Sequence, residues 1–336
     1  MAAAADLPAP RFEGHAQPVS CVAVFEDDSY RFVSGSFDHT LRIWDGYGEP
    51  VLHNGLPVIL RGHTQRILCV AVIDNTRIVS GSSDRTLRIW NSTTGAQIGQ
   101  LGQISREDYE RVLCVAVIDA THIVSGSDDY TLRIWNLGNH DELPVILRGH
   151  THNILCVAVI DATHIVSGSL DGTLRIWDSN TGAQIGEPLI GHTSLVSCVA
   201  VIDATYIVSG SWDNILRIWN ISGEQILQLG GPVDGGHICC VAVLPDGRIV
   251  SGSWDRNLRI WDISEYIYND NNNACKGGIN GGRRIRRLKG KKKRKTPKRK
   301  SKKRRKSIKR GGRRLKRKTK RRTKRRTKRK IKRRTK

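Results

Sequence analysis

The sequence has one methionine, four phenylalanines and no apolar stretch approaching the roughly 18 residues of a membrane-spanning helix. That shortage excludes an integral helical membrane protein. The opening Met1-Ala-Ala-Ala-Ala-Asp-Leu-Pro8 has neither the basic start nor the apolar run of a secretory signal, so the chain reads as soluble and intracellular. Its eight cysteines include no Cys-x-x-Cys spacing, which argues against zinc or a redox pair, and neither metal nor cofactor is expected. Acidic residues are missing altogether from 283–336, where 38 of the 54 positions are Lys or Arg. Residues 1–282 hold the other 18 basic side chains and all 31 acidic ones, a formal charge of −13. The chain is an acidic body with a basic arm.

What it has in quantity is repetition. Trp44, Trp90, Trp135, Trp177, Trp219 and Trp261 each close a Leu-Arg-Ile-Trp-(Asp/Asn) segment, at spacings of 46, 45, 42, 42 and 42 residues. A period of this length marks an array of like units. In each unit a Cys-Val-Ala-Val run precedes a (Phe/Ile)-Val-Ser-Gly-Ser run, a turn containing Asp, and then the Leu-Arg-Ile-Trp run. Short β-branched segments bounded by Gly, Asp, Asn and Ser predict strands joined by tight turns. A weaker fourth strand is predicted between units, as at Ala96–Gly99 and Pro144–Leu147. Leu56–Thr64 recurs as Leu143–Thr151 and Thr94–Gly99 as Thr181–Gly186, both displaced by 87 residues, so two units were duplicated as one block.

Four short strands per unit, with a Gly-His near the start and a Trp-Asp at the end, resemble the WD-repeat family over residues 11–262. The resemblance implies an all-β, six-bladed β-propeller over residues 1–266, acting as a binding scaffold and not an enzyme. Residues 267–282 then read as a flexible linker and 283–336 as a disordered Lys/Arg-rich tail. Little chain follows Asp262 for an outer strand, so Pro8–Glu13 are expected to complete the sixth blade and close the ring.

In the family a His, a Ser or Thr, the turn Asp and the final Trp form a buried structural network. The resemblance carries this over to His63-Ser80-Asp84-Trp90, His150-Ser167-Asp171-Trp177 and His192-Ser209-Asp213-Trp219, with His15-Ser34-Asp38-Trp44 as a fourth set. A Ser-His-Asp triad is the competing reading, but one active site does not recur in every blade. Units three and six carry Asp108 and Asp234 at the His position, which predicts a looser corner there. Unit three also has a charged insertion, 106–111, read as a partner-contacting loop or as solvated variation. Cys21, Cys69, Cys114, Cys156, Cys198 and Cys240 share one repeat position and are expected to be core thiols in separate blades. Arg42, Arg88, Arg133, Arg175, Arg217 and Arg259 also repeat, which predicts a structural role for their aliphatic stems.

Positions that differ between units are free to make contacts. The residue before the turn Asp reads Phe37, Ser83, Asp128, Leu170, Trp212 and Trp254. By resemblance it lies on the top face near the central channel, so Trp212, Trp254 and Phe37 are expected to form an aromatic patch for a protein partner. Arg66, Asn153 and Leu195 are expected to flank it.

Lys291, Lys292, Lys293, Arg294 and Lys295 look like a nuclear-import cluster. Together with Arg304, Arg305, Arg321, Arg322, Arg325 and Arg326 they are expected to grip the phosphates of DNA or RNA without regard to sequence. The whole predicts a monomeric nuclear or nucleolar adaptor with no membrane attachment. Basic tails with Gly-Gly breaks also resemble those on proteins of large DNA viruses, so the alternative is a nucleic-acid packaging or virion-associated protein, in the virion or cytoplasm.

Overall fold

The computed structural model describes residues 14–27, 30–102, 110–139, 141–231 and 236–267. Over these the chain forms six antiparallel sheets in chain order, five of four strands and the last of three, with a small hairpin, Leu52–His53 against Leu56–Pro57, leaving the first. These are the six blades of a propeller. Blade four is representative: Ile154–Val159 is innermost, then His164–Ser169, Leu174–Asp178 and Gln184–Leu189. The predicted fourth strands are present, shifted slightly to Gln97–Leu101 and Val145–Arg148. The only helix among the described residues is one turn, Ser264–Ile267.

Turn chemistry sets the strand ends. Asp74, Asp119, Asp161 and Asp203 each accept the backbone N–H of a Thr two residues on, at 2.8, 2.6, 2.7 and 2.7 Å, closing the turn between first and second strands. After the second strand the residue following the turn Asp is left-handed in all six blades. His39, Arg85, Tyr130, Gly172, Asn214 and Arg256 have φ between 66° and 80°.

A bulge recurs at the second residue of each inner strand, where the register slips between Val19 and Cys21, Ile67 and Cys69, and their counterparts. Because of it, Ile67 and Val70 both face blade one, while Cys69 and Ala71 face blade three. One strand thereby feeds two cores. Five apolar clusters of this kind lie between blades one and two, two and three, and so on to five and six. On the channel side, inner strands of the first four blades line a cavity of about 750 Å³ that includes Ala71, Val115 and Val157.

Cys69, Cys114 and Cys198 are buried free thiols and Cys21 and Cys156 half-buried ones, as the repeat position implies. Burial pushes Cys114 and Cys198 up to about 12 and Cys21 to about 11. Cys240 departs from the expectation and is exposed, because no neighbouring sheet among the described residues covers its face of blade six. The proposed closing strand at Pro8–Glu13, the linker and the tail lie outside the described residues, as do Asp108, Asp234 and most of the 106–111 insertion.

Candidate protein-interaction face and the networks beneath it

The four polar sets assemble as hydrogen-bonded relays. In blade two the indole Nε1 of Trp90 donates to Ser80 Oγ at 2.8 Å, Ser80 lies 2.8 Å from His63 Nε2, and His63 Nδ1 lies 2.8 Å from Asp84 Oδ2. An indole can only donate, so Ser80 must accept from it and pass its own proton toward Nε2. That leaves Nδ1–H to donate to the carboxylate. Blades one, four and five repeat the chain through His15, His150 and His192 with every link between 2.8 and 2.9 Å.

Burial alone would raise the Asp84 carboxyl, but hydrogen bonds from His63, Thr86 and the Thr64 N–H outweigh it and hold the group well below the usual carboxylate range. Asp213 is likewise opposed by burial yet held at about 2 by His192, the Thr193 N–H and Arg217. His192 itself is pushed down by burial, then by Arg217, with Asp213 pulling the other way. The hydrolase reading fails on access: Ser80, Ser167 and Ser209 are fully buried, and each oxygen is already engaged by an indole.

Blades three and six reach the same end by another route. Where no His supports the turn Asp, the repeated third-strand Arg grips it instead, Arg133 to Asp129 at 2.5 Å and Arg259 to Asp255. In blade two the equivalent Arg88 turns to Gln97 of the outer strand at 2.5 Å, and Arg175 pairs with Gln184. Arg217 does both, reaching Gln225 at 2.9 Å and Asp213 at 3.0 Å. The repeated arginines therefore act through their guanidinium groups as well as their stems.

Above this layer lie the variable residues. The residue before each turn Asp donates its backbone N–H to the residue that leads into the inner strand of its own blade: Ser83 to Arg66, Leu170 to Asn153, Trp212 to Leu195 and Trp254 to His237. All therefore sit at the same end of their blades. Neighbouring blades are then linked by side chains. Arg66 of blade two places its guanidinium 4.6 Å from the Phe37 ring centre of blade one, a cation–π contact. His237 of blade six stacks on Trp212 of blade five at 4.7 Å, and its Nδ1–H donates to the Trp212 carbonyl at 2.7 Å. Trp254 completes the cluster, 5.0 Å from Trp212 and 5.4 Å from His237, with 63% of its surface exposed.

The structure thus brings Trp212 and Trp254 together and gives Phe37 to Arg66, with no ring contact between Phe37 and Trp254 among the described residues. Asn153 lies half-buried beside Leu170. His237 escaped the sequence reading, which compared it with the network His and found it three residues late. It lies three residues before the repeat Cys, the same place as Arg66, Asn153 and Leu195 hold in their units. The tail residues from Lys291 to Arg326 lie outside the described residues.

No group of three metal-ligating side chains occurs among the described residues, and no helix there is long and apolar enough to cross a membrane. The chain matches the model of the WD domain, G-beta repeat family six times, over residues 8–45, 56–91, 103–136, 142–178, 183–220 and 223–262. No curated protein matches it. Six family matches that coincide with six successive sheets, each built on the same Trp, Ser and Asp, place this chain in the WD-repeat family, whose propellers serve generally as scaffolds for binding other proteins.

Proposed function

We propose that the protein is a non-enzymatic adaptor, with the aromatic cluster of blades five and six as its contact for a protein partner and the basic arm as a nucleic-acid anchor. The observation that carries the reading is the Trp212–His237–Trp254 cluster, built where the six blades differ most and left open to solvent at Trp254. Large aromatic rings on a rigid base are what binding hot spots are made of, since they bury much area at little entropic cost. Arg66 over Phe37 supplies a second, cationic contact at the same end of the blades. The 38 basic residues of 283–336, without one acidic residue, support phosphate binding in the nucleus or nucleolus. The same charge density supports the second reading, a packaging or virion-associated protein.

The double variant Trp212→Ala, Trp254→Ala tests the partner face by affinity capture with the full chain as bait. Loss of specific partners, with the melting temperature little changed, is the expected result. An unchanged set of partners removes the proposal.

A further inference from the structure

Each interior contact between blades uses one device, a β-branched side chain seated over a glycine. A Cβ on Gly35 would lie 2.8 Å from Ile67 of the next blade, on Gly81 2.5 Å from Val112, on Gly126 2.7 Å from Ile154, and on Gly168 and Gly210 2.6 Å from Val196 and Ile238. Gly252 is the sixth such glycine. Among the described residues only Cys240 and Leu258, of its own sheet, come within 4 Å of that point. Val19, the sixth β-branched residue, is 51% exposed, while its five counterparts are at most 7% exposed.

The difference extends across both faces. Leu258 and Ile260 of blade six are 77% and 37% exposed, whereas Leu216 and Ile218 at the same places in blade five are fully buried. Val22 of blade one is 57% exposed against 9% for Val70 of blade two. The two ends of the array therefore present complementary halves of a blade contact, and neither half is covered by described residues. Burying such surface is the main driving force of association, so these faces need a cover.

We propose that the two faces together form a docking slot for a single β-sheet supplied by a protein partner, a blade of about four strands that completes the ring in trans. Every interior blade shows that one sheet can answer both faces. It carries the β-branched residue on one side and the glycine on the other, as blade five does with Val196 and Gly210. The incoming sheet thus needs a β-branched residue opposite Gly252 and apolar side chains against Leu258. On its other side it needs a glycine opposite Val19.

Nothing outside 14–267 in this sequence has that composition. No stretch outside the six units repeats their Cys-Val-Ala-Val, Val-Ser-Gly-Ser and Leu-Arg-Ile-Trp runs, and residues 268–336 are dominated by Lys and Arg. A second copy fits one face at a time, since its own blade one matches blade six but brings a further array behind it; such head-to-tail contacts leave ends open and grow. Closure of the chain on itself is not what the structure shows, since Val19 does not come within 4 Å of the point above Gly252.

Hydroxyl-radical footprinting of the full chain, with and without a synthetic peptide copying residues 192–231, tests the slot. In the chain alone, Leu258 should be modified as fast as exposed Leu143 and far faster than Leu216, and Val19 far faster than Val196. The peptide should slow Val19 and Leu258 together, and Leu258→Asp should weaken its binding about 30-fold or more. Protection of both residues in the chain alone means that the ring closes on itself and overturns the proposal. A mass that grows with concentration in light scattering assigns the faces to a second copy and overturns it too. So does open labelling that the peptide leaves untouched. The top-face reading fails separately, since Trp212→Ala with Trp254→Ala should leave peptide protection intact.

Discussion

Ser209 shows how much one hydroxyl holds. It accepts from Trp219 and reaches His192, which in turn holds Asp213. Ser209→Ala strands an indole N–H and an imidazole nitrogen away from water, a loss of about 2 kcal/mol expected from unsatisfied buried polar groups and readable as a lower denaturation midpoint. The same relay sets the response to acid. Burial holds His192 below its ordinary value of 6.5, so the unfolded chain binds that proton more readily. The stability it confers is complete above about pH 6.5 and is lost as the pH falls through the folded value. The turn carboxyls act in the same direction but later, from about pH 4 downward, with Asp213 giving way at about 2. Thermal melts should therefore begin to fall below about pH 6.5, ahead of the carboxyl limb, and His192→Gln should flatten that first limb. A flat wild-type profile over that range would contradict the assignment.

At the scale of the blade, glycine is the sensitive position. Gly210→Ala drives a methyl into Ile238 and Cys198, and overpacking of this kind costs about 1–3 kcal/mol. Among the described residues Gly252→Ala meets only Cys240 and, at 3.6 Å, Leu258, so its melting temperature should fall distinctly less. Equal losses at the two sites would show that both faces are packed alike. Strand positions were legible in the sequence because they rest on local alternation of Leu, Arg, Ile and Trp, while the four relays were implied by the family resemblance, which repeats a Ser ten residues before its Trp. His237 was not, because a histidine in that unit invites comparison with the place of the network His, three residues earlier, and not with Arg66, Asn153 and Leu195, whose place it holds. Nor was the pairing of Arg133 and Arg259 with the turn Asp, since an arginine repeated in all six units looks identical whether its head meets a glutamine or a carboxylate. The exposure of Val19 and Leu258 was hidden for a different reason. Each unit specifies its fit to the next one, but the rotation accumulated over six fits is written in no single repeat.

For the whole molecule, charge separates the two ends of the chain, −13 over residues 1–282 against 38 basic side chains beyond. Binding to duplex DNA should therefore weaken with salt at a log–log slope of roughly −0.9 per phosphate engaged, and show little preference between sequences. Removal of 283–336 should abolish most of that slope in a filter-binding titration; a truncated chain that keeps both slope and affinity would move the anchor to the propeller. The propeller itself is a row of sheets in which each leans only on its neighbours. Blades two to five are gripped from both sides, while among the described residues one and six are gripped from a single side. Loss of structure consequently has a direction, fraying inward from the two outermost sheets, and whatever seats itself between those sheets acts as a rivet for all six.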